Sequence, residues 1–187
     1  MAEISIKIYQ IKIQLEGSKP PIWRRLLVRG DTSLAMLHEI IQCSMGWMDC
    51  HLHLFEKDGV AYGPSDSDPD PYHPMKSEVA KLSTILKREK DTLRYEYDFG
   101  DGWSHKIQLE KIIPMDPLAR YPVCVKGVRS CPPEDCGGVW GYIRLQEVLA
   151  DPEHEEYDEL LEWVGEYFSP EEFDINTVNQ FLQDCVR

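Results

Sequence analysis

The chain has no long hydrophobic run. Its opening, MAEISIKIYQIKIQL, alternates apolar with polar or charged residues and lacks the unbroken apolar centre of a signal peptide. No later stretch reaches the roughly 20 apolar residues needed to cross a bilayer. A cytoplasmic protein with no membrane partner is expected. Positive charge is also scarce: 20 lysines and arginines stand against 33 aspartates and glutamates, a formal net charge of −13. Broad capture of nucleic acid is therefore disfavoured, because neutralising phosphates needs a basic surface. There is no internal repeat, and no phosphate-binding loop. The segment GGVWGY has neither the lysine and hydroxyl of a P-loop nor the strand-glycine-helix order of a dinucleotide site, and Glu134 and Asp135 beside it repel phosphate.

What is present fits one globular core. At 187 residues, 42% hydrophobic and 28% charged, two full domains are crowded and wholesale disorder is not expected. Residues 1–150 are read as an α+β domain and 151–187 as an acidic helical extension packed on it. Six cysteines in a reducing compartment are expected to stay thiols or to bind metal. Cys43 and Cys185, in helical and partly apolar contexts, are expected to pack as small hydrophobes.

Ile4, Ile6 and Ile8 alternate, then Ile11, Ile13 and Leu15 alternate in the opposite phase, which predicts a long first strand with a register change near Tyr9 and Gln10. Residues 17–21 turn the chain into a returning strand over 22–28. Asp31 or Thr32 then caps a helix whose Leu34, Leu37, Ile41 and Met45 fall at helical spacing, and Gly46 ends it. A second hairpin, 51–55 with 60–62, closes on Asp58-Gly59. The acidic, proline-rich stretch 65–74 reads as a solvated loop; it lacks the glycine and closing glutamate of a helix-loop-helix calcium site. A short helical turn over 82–86 precedes a central hairpin, 92–99 with 103–113, reversing at Gly100-Asp101-Gly102. Helices follow over 140–149, 155–167 and 175–185, with Ser169-Pro170-Glu171-Glu172 as a start signal between the last two. The sum is a single α+β domain with a mixed or antiparallel sheet, opened by hairpin, helix and hairpin in a β-grasp or roll arrangement and finished by a helical C-terminal segment.

The segments YEYDFGDGWSH and CVKGVRSCPPEDCGGVWGY, with IKIQLEGSKPPIWRRLLV and MGWMDCHLHLF before them, resemble the plasmid pRiA4b ORF-3-like family, also called MM3350-like proteins. The resemblance covers nearly the whole chain. It implies an α+β fold in a family chiefly of uncharacterised proteins, some of which carry a transposon-resolvase label. A serine recombinase needs a nucleophilic serine amid arginines, whereas this central motif offers carboxylates, a histidine and thiols. The fold is carried over, and that activity is not.

The same motifs suggest three chemistries, each with a plainer alternative. Zinc could be held by His105, Cys124, Cys131 and Cys136, with His51 and His53 as alternates, since residues two apart on a strand share a face. The cysteines, however, are separated by six and four residues, not by tight paired knuckles. The preferred reading makes them packed thiols and lets CPPEDCGG shape a helix start, so no cofactor is assured. Asp98, Asp101, His105 and Cys131 could form a hydrolytic site, with His105 as base; the aspartates are equally suited to turn hydrogen bonds. Trp23, Arg24, Arg25 and Arg29 could present a local partner surface, including a stacking platform for single-stranded nucleic acid; the plainer alternative is core aromatics beside a solvated mixed surface. The leading expectation is a non-enzymatic binding or adaptor module, linked through its family to mobile elements. A zinc-stabilised nucleic-acid-associated protein and a small hydrolase come next.

Overall fold

Tyr9, Ile11, Ile13 and Leu15 alternate along the first strand and are all buried, and this face sets the layer on which the core is built. The computed structural model describes residues 6–64 and 76–185; the solvated loop assigned to 65–74 lies outside them. Among the described residues the strands are β1 (Lys7–Leu15), β2 (Trp23–Arg29), β3 (His53–Lys57), β4 (Val60–Gly63), β5 (Lys76–Ser77), β6 (Thr92–Tyr97), β7 (Trp103–Pro114) and β8 (Val123–Val128). They form one sheet in the order β5-β4-β3-β6-β7-β1-β2-β8. Neighbours are antiparallel except the parallel pair β4 and β5. The helices are α1 (Leu34–Met45), α2 (Leu82–Ile85), α3 (Gly138–Leu149), α4 (Tyr157–Val164) and α5 (Ile175–Cys185). The class is α+β, as expected, and no helix among the described residues is long and apolar enough to cross a membrane.

One hydrophobic cluster joins the sheet face to α1 and α5. It includes Leu26 and Val28 from β2, Phe55 from β3, Tyr95 and Tyr97 from β6, and Trp103, Ile107 and Leu109 from β7. Trp103, Tyr95 and Tyr97 are fully buried, and large side chains of this kind stabilise by about 1.5 to 3 kcal/mol each.

Several local expectations change. Helix α1 is capped by Ser33, whose Oγ accepts from Met36 N at 3.1 Å, and not by Asp31 or Thr32. Asp31 is held instead by a two-pronged pair with Arg29, both bonds at 2.9 Å. The register change beside β1 lies between Gln10 and Ile11, and the extra residue is Glu110 on β7. Tyr9 thus keeps a core position and donates its hydroxyl to Leu86 O at 3.1 Å. Helix α5 starts from Asp174, which accepts from Asn176 N at 2.8 Å, rather than from the Ser169 segment.

Strand β8 was not expected. It is short, contains Gly127, and is defined by pairing with the edge of β2. On its other side the Asn179 side chain of α5 accepts from Cys124 N at 2.7 Å and donates to Cys124 O at 3.0 Å, so a helix blunts the free edge. The expectation that Cys43 and Cys185 remain thiols is also corrected. Helix α5 lies against α1 and joins the two cysteines in a disulfide across 142 residues of sequence. No local pattern reports such a pairing.

Candidate functional site

Three segments meet at one end of the sheet: the chain between α1 and β3, the β6–β7 hairpin, and the loop before α3. Each carries residues singled out from the sequence. The hairpin turns at Asp98, whose φ of 55° is in the left-handed region that aspartate tolerates. Its Oδ1 accepts from Gly100 N at 2.9 Å, its carbonyl from Gly102 N at 2.6 Å, and its own N–H donates to Leu52 O at 2.9 Å. Asp98 therefore does form the turn. Its second carboxylate oxygen remains available and lies 3.7 Å from His51 Nε2.

Asp101, at the hairpin tip, accepts from Gly137 N at 3.1 Å and so ties the hairpin to the loop that bears Asp135. Glu134 pins the same loop from the other side. Its Oε1 accepts from the Tyr97 hydroxyl at 2.5 Å, and its Oε2 from Met48 N at 2.9 Å. Burial, reinforced by Glu134 as acceptor, pushes the Tyr97 pKa up, so the phenol remains the donor. Asp135 Oδ1 comes to 3.2 Å from His51 Nε2. One ligand atom from each of His51, Asp98 and Asp135 thus lies within 4.8 Å of the others. The His51 nitrogen is buried, yet neither contact is aligned as a hydrogen bond.

His53 does not share this site with His51. The chain bends at His51 and the strand begins only at His53, so the expected common face does not exist. His53 belongs to a second polar cluster under α1. Gln42 Nε2 donates to the Tyr95 oxygen at 3.0 Å, Tyr95 and His38 Nδ1 are 2.8 Å apart, and His38 Nε2 and Asp49 Oδ1 are 2.7 Å apart. A carboxylate only accepts, so His38 carries its proton on Nε2 and Tyr95 donates to Nδ1. His53 stacks on His38 with ring centroids 3.5 Å apart, and its Nε2 lies 3.0 Å from Glu78 Oε2. Burial, then the neighbouring His53, lowers the His38 pKa, which keeps that ring neutral. Sequence reasoning missed this cluster. The available signal was His38 itself, which falls on the helix stripe between Leu34 and Ile41.

His105 and the cysteines are not brought together. His105 is fully buried, donates Nδ1–H to Trp103 O at 3.1 Å, and is driven by desolvation to a pKa of about 4. Its bond runs to neither Asp98 nor Cys131. Cys131 Sγ contacts Met45 Sδ at 3.0 Å and accepts from Arg24 at 3.5 Å. Cys124 is buried near Lys126 O, and Cys136 lies 3.9 Å from Gly138 O. Burial raises all three thiol pKa values, Cys136 to about 12, so the thiolate needed for zinc or for attack on a substrate is disfavoured. Neither of the two metal-competent clusters found among the described residues contains a cysteine.

The basic surface around Trp23 is likewise divided. Arg24 is only 3% exposed; it donates to Ser44 O, Trp23 O and Val128 O, each at 3.0 Å, and lies over Phe173. Arg25 is paired with Glu110 and Arg29 with Asp31. Among the described residues Arg25 and Lys12 flank the Trp23 ring, at 5.2 and 5.0 Å.

A groove of 790 Å³ opens beside Asp135, between the end of α1 with the Cys131 loop and the face of α4 and α5. Its apolar lining includes Trp47, Met48, Trp163, Phe173 and Phe181, and Met48, Trp163 and Phe181 are 77%, 48% and 47% exposed. Glu134, Asp135, Glu172 and Asp174 supply its acid groups, and the sole basic residue among its lining residues is the buried Arg24.

Comparison with known proteins places this architecture. The model of the family described as "Plasmid pRiA4b ORF-3-like protein" matches residues 7–177. An uncharacterized protein, y4hQ, of Sinorhizobium fredii (strain NBRC 101917 / NGR234) is 37% identical over 158 residues, covering 84% of this chain and 81% of that relative. The crystal structure of MM3350 from Methanosarcina mazei Go1, a protein of unknown function, superposes with a TM-score of 0.85 at 40% identity, covering 92% of this chain and 97% of the other. With the fold, the hairpin motif and the loop before α3 all accounted for, the chain belongs to the plasmid pRiA4b ORF-3-like family.

Proposed function

We propose that this protein is a cytoplasmic, non-enzymatic binding module whose groove takes a basic, amphipathic segment of a partner protein. The observation that carries the reading is the charge of the groove: apolar side chains line it, four carboxylates accompany them, and its one lysine or arginine is Arg24. The Arg24 guanidinium is already engaged by three carbonyls. A segment that alternates lysine or arginine with leucine or an aromatic residue complements both features. Exposed Trp163 and Phe181 are the residue types that anchor such contacts. His105 is enclosed in the core with its pKa lowered to about 4, and burial keeps the Cys131 thiol protonated, which favours binding over hydrolysis.

A titration of a labelled Lys/Leu/Trp amphipathic peptide against a Glu/Leu/Trp counterpart tests it. The basic peptide is expected to bind, and Trp163→Ala with Phe181→Ala to weaken it at least tenfold. Equal binding of both peptides, or none up to about 1 mM, rejects the reading.

A further inference from the structure

Among the described residues two metal-competent clusters combine histidine with carboxylate, and their hydrogen bonding separates them. Around His38, both imidazole contacts are made and the ring stacks on His53, so the polar groups are closed among themselves. Around His51 they are not. His51 Nε2 is buried and without a hydrogen-bond partner, although two carboxylate oxygens lie at 3.2 and 3.7 Å. A buried, unpaired ring nitrogen facing two anions is costly unless something sits between them.

The distances suit an ion. Ligands about 2.0 to 2.2 Å from a tetrahedral Zn²⁺ are separated from one another by about 3.3 to 3.6 Å. The two His51 contacts bracket that range, whereas the 2.7 and 3.0 Å pairs of the other cluster are hydrogen-bond lengths. The donors are also held in place. Asp98 is fixed by Gly100 N through its other oxygen, and its backbone by Leu52 O; the Asp135 loop is fixed by Asp101 and Glu134. No lysine or arginine is paired with Asp98 or Asp135 among the described residues.

We propose that His51, Asp98 and Asp135 form a divalent-cation site, with three protein ligands and the remaining position open to water. One imidazole and two carboxylates favour Zn²⁺, Mn²⁺ or Fe²⁺ over the thiophilic ions. Water reaches the site from the side of Asp135, whose side chain is 71% exposed, while Asp98 at 11% closes the other. The site explains why hairpin and loop motifs converge, and it does not depend on the groove reading, since the metal alone is the probe.

The test uses the full, untagged chain, stripped with chelator and titrated with Zn²⁺, with Co²⁺ as a spectroscopic substitute. One equivalent of Zn²⁺ is expected to bind, and the Co²⁺ form to show ligand-field bands without thiolate charge transfer. Asp98→Asn retains the acceptor for Gly100 and tolerates the left-handed backbone, and Asp135→Asn alters an exposed group. Each is expected to weaken binding at least tenfold with an unchanged circular dichroism spectrum, and Asp49→Asn to leave binding as in the parent. Absence of stoichiometric binding, a thiolate band, retention of affinity in both Asp98→Asn and Asp135→Asn, or its loss in Asp49→Asn overturns the proposal.

Discussion

The carboxylate of Asp101, at the tip of the β6–β7 hairpin, accepts the backbone N–H of Gly137, and the Asp101 carbonyl occupies the space into which a Cβ on Gly138 would project, 2.4 Å away. Two motifs distant in sequence are therefore one piece of structure. Gly137 and Gly138, at the start of α3, permit the hairpin to approach, and the aspartate adds a bond.

Gly138→Ala is the sharpest test of that junction. The position has a φ of 68°, and the added methyl meets backbone rather than a movable side chain. A loss of about 2 to 4 kcal/mol is expected in urea unfolding, against about 1 kcal/mol for Asp101→Ala, which removes one partly exposed bond. Equal costs for the two variants contradict the close approach.

Arg24→Lys is expected to destabilise by about 2 to 4 kcal/mol, although charge is conserved. The planar fork reaches Ser44 O, Trp23 O and Val128 O at once and lies over the Phe173 ring, 4.6 Å from its centroid. A lysine ammonium cannot reproduce that geometry and would be buried without enough partners. Denaturant midpoints decide it; a variant as stable as the parent rules out the structural role.

The disulfide predicts a thiol count. Under denaturing, non-reducing conditions four reactive thiols are expected, those of Cys50, Cys124, Cys131 and Cys136, and six after reduction. Cys185→Ser is expected to cost about 2 to 4 kcal/mol under oxidising conditions and much less with reductant present. Six thiols without reduction show that the pair is open in solution.

Acid sensitivity should have a component from His105. Its folded pKa of about 4 lies below the 6.5 or so of a free imidazole. Between those values the unfolded chain takes up a proton that the folded chain refuses, so stability falls as pH drops from about 6.5 toward 4, by up to about 1.4 kcal/mol per pH unit. Above that window His105 contributes no slope. His38, also lowered by burial, acts in the same direction. Unfolding midpoints at pH 7, 6 and 5 are expected to fall less steeply in His105→Phe than in the parent; parallel curves show that the ring titrates freely.

Much of the candidate site was legible in the sequence, though not its assembly. Asp98 and Asp101 read from the sequence as turn formers and as partners for His105; Asp98 makes the turn with one oxygen and faces His51, not His105, with the other, while Asp101 holds Gly137. His51 reads from the sequence as an alternate zinc ligand, and no local spacing joins it to Asp135. His105 drew attention through its motif, but it alternates in phase with Trp103 and Ile107, and all three side chains are buried in the same core.

Local sequence determined the elements that local forces control. Period-two burial in β1, β2, β6 and β7, the helical stripe of α1, the positive-φ Asp58-Gly59 turn and Gly46 as a helix stop depend on residues a few positions apart. Only the tertiary structure decided what depends on approach between distant segments. It made an edge strand of β8, joined Cys43 to Cys185, turned Arg24 inward, and set His51 between Asp98 and Asp135. Charge, thiol chemistry and ring protonation depend on solvent exclusion and on which partner arrives from elsewhere in the chain, and no local spacing encodes either.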